Sequence, residues 1–97
     1  MLTGDDFTEV GGLPCGWQVT DKNGEAMKEP RHPILAHGKV RHVGDPVVAV
    51  IAETLKQAKD AAQLIDLEIG ELPAVVDMKK AISGSAPALH DDAADNL

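Results

Sequence analysis

The spacing of apolar side chains predicts strands in the middle of the chain. Residues 39–43 and 66–69 alternate apolar and polar side chains, which is typical of strands with one face in water. Residues 47–52 are a continuous apolar run rich in β-branched side chains, which favours a strand buried on both faces. Residues 33–36 read as a further short strand. The pattern predicts an α/β fold with a small mixed sheet.

The apolar spacing becomes helical after this run. Thr54 can accept a hydrogen bond at the start of a helix, and Gln57, three residues later, completes a capping box. We predict a helix over residues 54–65 that lays a narrow, alanine-rich stripe on the sheet. The stripe consists of Leu55, Ala58, Ala62 and Ile65.

The remaining segments have weaker patterns. Asp77 can cap a second, short helix over residues 78–82. Residues 8–31 contain scattered Gly and Pro and no hydrophobic periodicity, so we expect a long loop there. Residues 85–97 carry clustered Asp and indicate a solvated acidic tail. We expect residues 1–97 to form a single domain.

Two residues define the turn before the apolar run. Gly44 can adopt a positive φ because it has no Cβ, and Pro46 fixes φ where the strand begins. We interpret Gly44 and Pro46 as structural turn residues.

Charge and composition exclude several classes of function. The chain has 9 basic and 16 acidic residues and a net charge of -7, so nucleic acid is not an expected partner. No apolar stretch approaches the roughly 18 residues that a membrane span requires. The single cysteine, Cys15, cannot form an intrachain disulfide, which favours a reducing compartment, and we expect a cytoplasmic location.

The side chains with chemical potential do not form a recognisable site. His32, His37 and His42 are spaced by five, which places neighbours on opposite faces of a strand, so a metal site is not expected. Cys15 lacks a helix N-terminus or basic neighbour to activate it. We predict no catalytic, cofactor-binding or metal residues. Trp17 stands alone in a glycine-rich segment and is either a packing residue or an interface anchor.

The central sequence resembles a known family. The segments His-Pro-Ile-Leu-Ala at residues 32–36, Gly-Lys-Val-Arg at 38–41 and Val-Gly-Asp-Pro-Val-Val-Ala-Val-Ile-Ala-Glu-Thr at 43–54 carry the resemblance. They are similar to the α/β-hammerhead domain that opens the molybdenum-cofactor subunit of xanthine dehydrogenases, aldehyde oxidases and aerobic carbon monoxide dehydrogenases. That domain normally begins before the position of Leu2, so we expect the chain to be a part of it.

The resemblance implies a role for the chain within a larger enzyme. The parent would be a hydroxylase with a molybdopterin-type molybdenum cofactor, and with iron–sulfur clusters and FAD on partner domains or subunits. The family's cofactor-binding and catalytic motifs lie downstream of the hammerhead and are not in this chain. The implied role is a non-catalytic scaffold and interface. Its partners would be the remaining molybdenum-binding domains and the iron–sulfur and flavin subunits.

Two other functions remain open at this point. One is a stand-alone binding or regulatory module derived from the same domain. The other is a self-contained enzyme, for which the sequence offers no constellation of residues. The recovery of the chain together with a flavin or iron–sulfur subunit would distinguish the scaffold from the stand-alone module.

We expect the purified chain to bind no molybdenum cofactor, flavin or iron–sulfur cluster, because it lacks the ligands that such groups require. Metal analysis and absorption spectroscopy of the purified protein test this. Stoichiometric molybdenum or iron would contradict it.

Overall fold

A computed structural model describes all 97 residues, and they divide into two compact units. The first unit comprises Met1–Gly12 and Pro33–Gly70, and the second comprises Leu13–His32 and Glu71–Leu97. The regular elements are short: strand β1 (Leu2–Thr3), a 3-10 helix (Gly4–Phe7), strand β2 (Val48–Ala49), helix α1 (Leu55–Gln63) and helix α2 (Met78–Ala81). The predicted α/β class is confirmed.

A two-stranded sheet forms the frame of the first unit. Strand β1 pairs with β2 in antiparallel fashion, with Leu2 opposite Ala49 and Thr3 opposite Val48. The backbone N–H of Thr3 donates to the Asp6 carboxylate at 2.7 Å, which joins the strand to the 3-10 helix that follows. The 3-10 helix therefore begins directly after β1.

Most of the predicted strands are not formed. The predictions for residues 33–36, 39–43 and 66–69 are wrong, and only Val48–Ala49 of the predicted 47–52 strand is paired. In the 39–43 segment, the Asp45 carboxylate accepts the N–H of Arg41 at 2.7 Å, and a sheet ladder would have needed that donor. Residues 47–50 are half-buried and Ile51 is 77% exposed, so burial on both faces is also wrong. The run lacks a second layer to cover it.

Gly4 lies close against the backbone of Ala36 in the first unit. A Cβ on Gly4 would lie 2.4 Å from the Ala36 carbonyl oxygen and 2.9 Å from its carbonyl carbon. The N–H of Ala36 donates to the carbonyl of Pro46 at 2.7 Å. Leu35, which is 5% exposed, is the buried hydrophobic residue of this unit. Gly4 therefore lets the 3-10 helix lie against the segment that carries the core residue.

A tight turn leads into β2. The N–H of Asp45 donates to the carbonyl of His42 at 3.2 Å, and Gly44 between them has a φ of 94°. A side chain at position 44 would be strained at this φ, which is the physical reason for glycine there. Nδ1 of His42 lies 3.2 Å from the Asp45 carboxylate, which braces the same turn.

Helix α1 begins where the capping box predicts. The N–H of Gln57 donates to the Thr54 hydroxyl at 3.2 Å, and the Thr54 N–H donates to the Gln57 side chain at 2.9 Å. The predicted packing of its apolar stripe on the sheet is wrong, because Leu55 is 72% exposed and the helix buries no side chain. Only Ala58 within the helix and Ile65 just after it are half-buried.

In the second unit, residues 13–32 form an incomplete antiparallel hairpin. Its arms are joined by hydrogen bonds from Leu13 N–H to the His32 carbonyl at 2.7 Å and from Met27 N–H to the Val19 carbonyl at 3.0 Å. Thr20 also pairs with Ala26 near the tip. The segment contains no regular strands. Its antiparallel pairing was not predicted from the sequence, which indicated a long loop. The dipeptide Asn23–Gly24 was the available hairpin signal.

The C-terminal part of the second unit is organised by one side chain. Asn96 has a φ of 57°. Its amide oxygen accepts the N–H of Leu89 at 2.9 Å, and its amide nitrogen donates to the carbonyls of Ala81 and Pro87 at 3.0 and 3.2 Å. These bonds join helix α2, which the Asp77 carboxylate caps as predicted, to the segment containing the buried Ala93.

Gly4→Ala should lower the free energy of unfolding by about 1–3 kcal/mol, because the added methyl group overlaps the rigid backbone at Ala36. Gly11→Ala is the matched control, since a Cβ there meets nothing within 4 Å. Urea unfolding of both variants measures the difference. Equal stabilities for the two variants would contradict the close approach.

Candidate protein interaction surface

The chain exposes an unusual amount of apolar surface. Leu35 and Ala93 are the only buried hydrophobic residues. Eighteen large hydrophobic side chains, spread over both units, are exposed. So many exposed apolar side chains make a surface that contacts another protein the candidate site of this chain.

Trp17 is the most prominent of these exposed side chains. It is 81% exposed and lies on the first arm of the hairpin. Glu29, on the second arm, accepts the N–H of Cys15 at 3.2 Å and the side-chain amide of Gln18 at 2.6 Å. The Glu29 carboxylate therefore binds the backbone before Trp17, at Cys15, and the side chain after it, at Gln18. Trp17 is presented by a braced segment.

An Asp side chain organises the tip of the hairpin. One carboxylate oxygen of Asp21 accepts the N–H groups of Asn23 at 2.7 Å and Glu25 at 2.9 Å. The other oxygen accepts from the Asn23 side-chain amide at 3.1 Å. The N–H of Gly24 donates to the Asp21 carbonyl at 3.1 Å, and Gly24 has a φ of 84°. The hydrogen bond from Glu25 is the largest cause that lowers the pKa of Asp21 below its usual 3.8.

The hairpin is tied to the C-terminal segment of the same unit. Nζ of Lys28 donates to the Asp95 carboxylate at 2.6 Å. This bond is the main cause that lowers the pKa of Asp95 from its usual value. Because both side chains are largely exposed, the pair fixes position more than it adds stability.

Exposed apolar side chains also mark the first unit and the end of the second. Leu55 at the start of α1, Ile51 before it and Leu64 after it are exposed. In the second unit, Val76 and Met78 at the start of α2 are exposed as well. Each unit therefore carries apolar surface beyond the hairpin.

The histidines and the cysteine do not converge. Nδ1 of His37 lies 2.8 Å from the Asp5 carboxylate, whereas His42 contacts Asp45. Cys15 is a free, exposed thiol whose Sγ lies 3.2 Å from the Trp17 carbonyl oxygen. No three His, Cys, Asp or Glu side chains are grouped to hold a metal ion, and no polar side chain is buried.

The structure places the sequence-derived residues in different units. Trp17 lies in the second unit, and the turn residues Gly44 and Pro46 lie in the first. Sequence reasoning missed Glu29 and Asp21, which hold the hairpin around Trp17. The signal for Asp21 was its place ahead of Asn23–Gly24, since Asp before such a turn accepts backbone N–H groups. Glu29 had no local signal. No helix in the structure has the length and apolar character needed to cross a membrane.

A small α/β domain with this much exposed apolar surface is typical of one part of a larger protein. The family described as "Aldehyde oxidase and xanthine dehydrogenase, a/b hammerhead domain" matches residues 10–73. The match covers about two thirds of the chain, and the chain belongs to this family. The family resemblance seen in the sequence is confirmed.

Individual relatives are named as subunits of enzymes. The chain is 41% identical over 80 residues to the nicotine 6-hydroxylase large subunit of Paenarthrobacter nicotinovorans, covering 82% of this chain and 9% of the relative. It is 43% identical over 60 residues to the 6-hydroxypseudooxynicotine dehydrogenase complex subunit gamma of the same organism, covering 62% and 8%. It is 38% identical over 91 residues to the xanthine dehydrogenase molybdenum-binding subunit of Escherichia coli O157:H7, covering 94% and 12%.

The chain thus spans about a tenth of the length of these relatives. No solved structure matches it significantly.

The Asp21 turn should weaken in acid. Because the pKa of Asp21 is lowered in the folded chain, its carboxylate stabilises the hairpin above the usual value of 3.8. That contribution is lost as the pH falls through the lower folded pKa. NMR titration of the Asp21 carboxyl group and of the Gly24 and Glu25 amides should show a shared midpoint below 3.8. In Asn23→Ala the midpoint should rise but stay below that value, since the Glu25 bond remains. A midpoint at or above 3.8 in the parent chain would show that these hydrogen bonds do not stabilise the Asp21 carboxylate.

Proposed function

We propose that this chain is a non-catalytic scaffold and interface domain of the large subunit of a xanthine dehydrogenase-type molybdenum hydroxylase. In this proposal, residues 1–97 belong to one hammerhead domain, with 8–31 as its long loop and 85–97 as its acidic tail. The match of the family across residues 10–73, which runs through both units, supports a single domain.

The observation that carries the proposal is Trp17, 81% exposed on a braced hairpin. A tryptophan in water loses the stabilisation that its large apolar area would give on burial. Glu29 and Asp21 hold the segment around it, so little conformational entropy would be lost on docking. Such a preorganised aromatic side chain is the usual anchor of a protein interface.

The chemistry of the parent would take place elsewhere. We propose that a molybdopterin-type molybdenum cofactor is held by the remaining domains of the large subunit, and that iron–sulfur clusters and FAD lie on partner domains or subunits. The printed names of the relatives support a molybdenum-binding parent. The His, Cys, Asp and Glu side chains of this chain are not grouped as metal ligands, and this supports the non-catalytic role proposed for it. The free Cys15 thiol supports a cytoplasmic location.

Reconstitution with the rest of the parent subunit tests this function. The tagged chain is mixed with separately produced molybdenum-binding domains of a xanthine dehydrogenase-type large subunit, and the complex is measured by size-exclusion chromatography with mass determination. We expect a one-to-one complex whose formation protects the 13–32 hairpin from amide exchange. A folded chain that forms no complex with folded domains would favour the stand-alone module instead.

Trp17→Ala should weaken that complex by about thirtyfold in Kd, because truncating a buried aromatic anchor costs about 2 kcal/mol or more. Leu97→Ala is the matched control, since Leu97 is also an exposed apolar residue in the second unit but lies at the chain end. Isothermal titration calorimetry measures both. Equal affinities for the two variants would show that Trp17 does not contribute to the interface.

A further inference from the structure

The tip of the hairpin joins an asparagine to a glycine in an exposed position. Asn23 and Gly24 are both exposed, and a Cβ on Gly24 would meet nothing within 4 Å. An asparagine followed by glycine is chemically labile, because the following backbone nitrogen can attack the side-chain amide without hindrance from a Cβ. We propose that Asn23 is a site of spontaneous deamidation and that the hydrogen bonds of Asp21 hold this reaction in check.

The reaction uses atoms of the chain and water. The backbone nitrogen of Gly24 bonds to Cγ of Asn23, the bond between Cγ and Nδ2 breaks, and Nδ2 leaves as ammonia with the proton from the Gly24 nitrogen. The product is a five-membered succinimide. Water then adds to either of its carbonyl carbons and opens the ring to aspartate or isoaspartate at position 23. No electrons are transferred.

The turn restrains both reacting groups. The Gly24 N–H donates to the Asp21 carbonyl at 3.1 Å, so the attacking nitrogen must give up a hydrogen bond before it can lose its proton. The Asn23 side-chain amide donates to the Asp21 carboxylate at 3.1 Å, which fixes the carboxamide and makes its carbon less electrophilic. The Asn23 backbone N–H is held by the same carboxylate at 2.7 Å. Reaction therefore requires the turn to open.

Deamidation would also destroy the turn that delays it. The new carboxylate at position 23 cannot donate to Asp21, and the two negative charges would face each other where an amide–carboxylate bond now lies. Isoaspartate would further add a backbone carbon to the loop.

Mass spectrometry of the aged chain measures the reaction. The full chain is incubated near neutral pH in buffer and in urea, then digested at mildly acidic pH after Glu residues, so that Asn23 lies in the peptide 10–25. We expect deamidation to be roughly tenfold slower in buffer than in urea, because a hydrogen-bonded turn is open in only a minority of molecules. Asp21→Ala should remove most of this difference while leaving the rate in urea unchanged.

Three controls define what protects Asn23. Asp21→Asn, which keeps an acceptor oxygen, should give an intermediate rate. Lys28→Ala, which removes the bond to Asp95 but leaves the Asp21 turn intact, should react as slowly as the parent chain. Asn96, followed by the bulky Leu97 and bonded to the Ala81 carbonyl, should stay intact in buffer.

Several results would overturn the proposal. A parent chain that reacts equally fast in buffer and in urea shows that the turn does not protect Asn23. An Asp21→Ala chain that reacts more slowly than the parent shows that Asp21 assists the attack instead. A Lys28→Ala chain as fast as Asp21→Ala shows that general opening of the hairpin, and not the Asp21 contacts, sets the rate.

Discussion

The shortage of apolar burial is the constraint that shapes this chain. Only Leu35 and Ala93 are buried hydrophobic residues, one in each unit. Burial of apolar surface is the main favourable term in folding, at about 25 cal/mol per Å², so little of the usual driving force is available within the chain. The structure relies instead on individual hydrogen bonds and close contacts, some local and some between distant positions. These include the capping box at Thr54, the Asp21 turn, the bonds of Asn96 and the close contact of Gly4 with Ala36.

These contacts differ in what they contribute. The exposed pair of Lys28 and Asp95 and the bonds of Glu29 gain little free energy, because water competes for each group. They still determine the direction of the hairpin arms. Gly4 acts by the absence of a side chain, since its contact with the Ala36 backbone is possible only without a Cβ. Such contacts give the exposed apolar side chains defined positions.

Membership of the hammerhead family offers a reason for the exposed apolar side chains. The chain corresponds to about a tenth of relatives that include a molybdenum-binding subunit. In the proposed scaffold role, the apolar face of α1 and the hairpin around Trp17 would be covered by other parts of the enzyme. The same constraint links the proposed deamidation to function, because Asn23 lies at the tip of the hairpin that presents Trp17. A change of charge there would alter a segment with little core beneath it.

Local sequence determined the elements whose stabilising partners are near in the chain. Helix α1, helix α2 and the Gly44 turn depend on hydrogen bonds or φ values set within a few residues, and Thr54, Asp77 and Gly44 stand where those elements need them. The apolar pattern led to wrong strand predictions for residues 39–43 and 66–69 and for most of 47–52. A strand exists only where another segment supplies its hydrogen bonds. The pairing of β1 with β2, the contact of Gly4 with Ala36 and the hydrogen bonds of Glu29 join positions 11 to 47 residues apart, and no local pattern encodes them. The sequence by itself marked Trp17 as unusual, and only the tertiary structure decided that it is exposed, because burial depends on which distant segments come to cover a side chain.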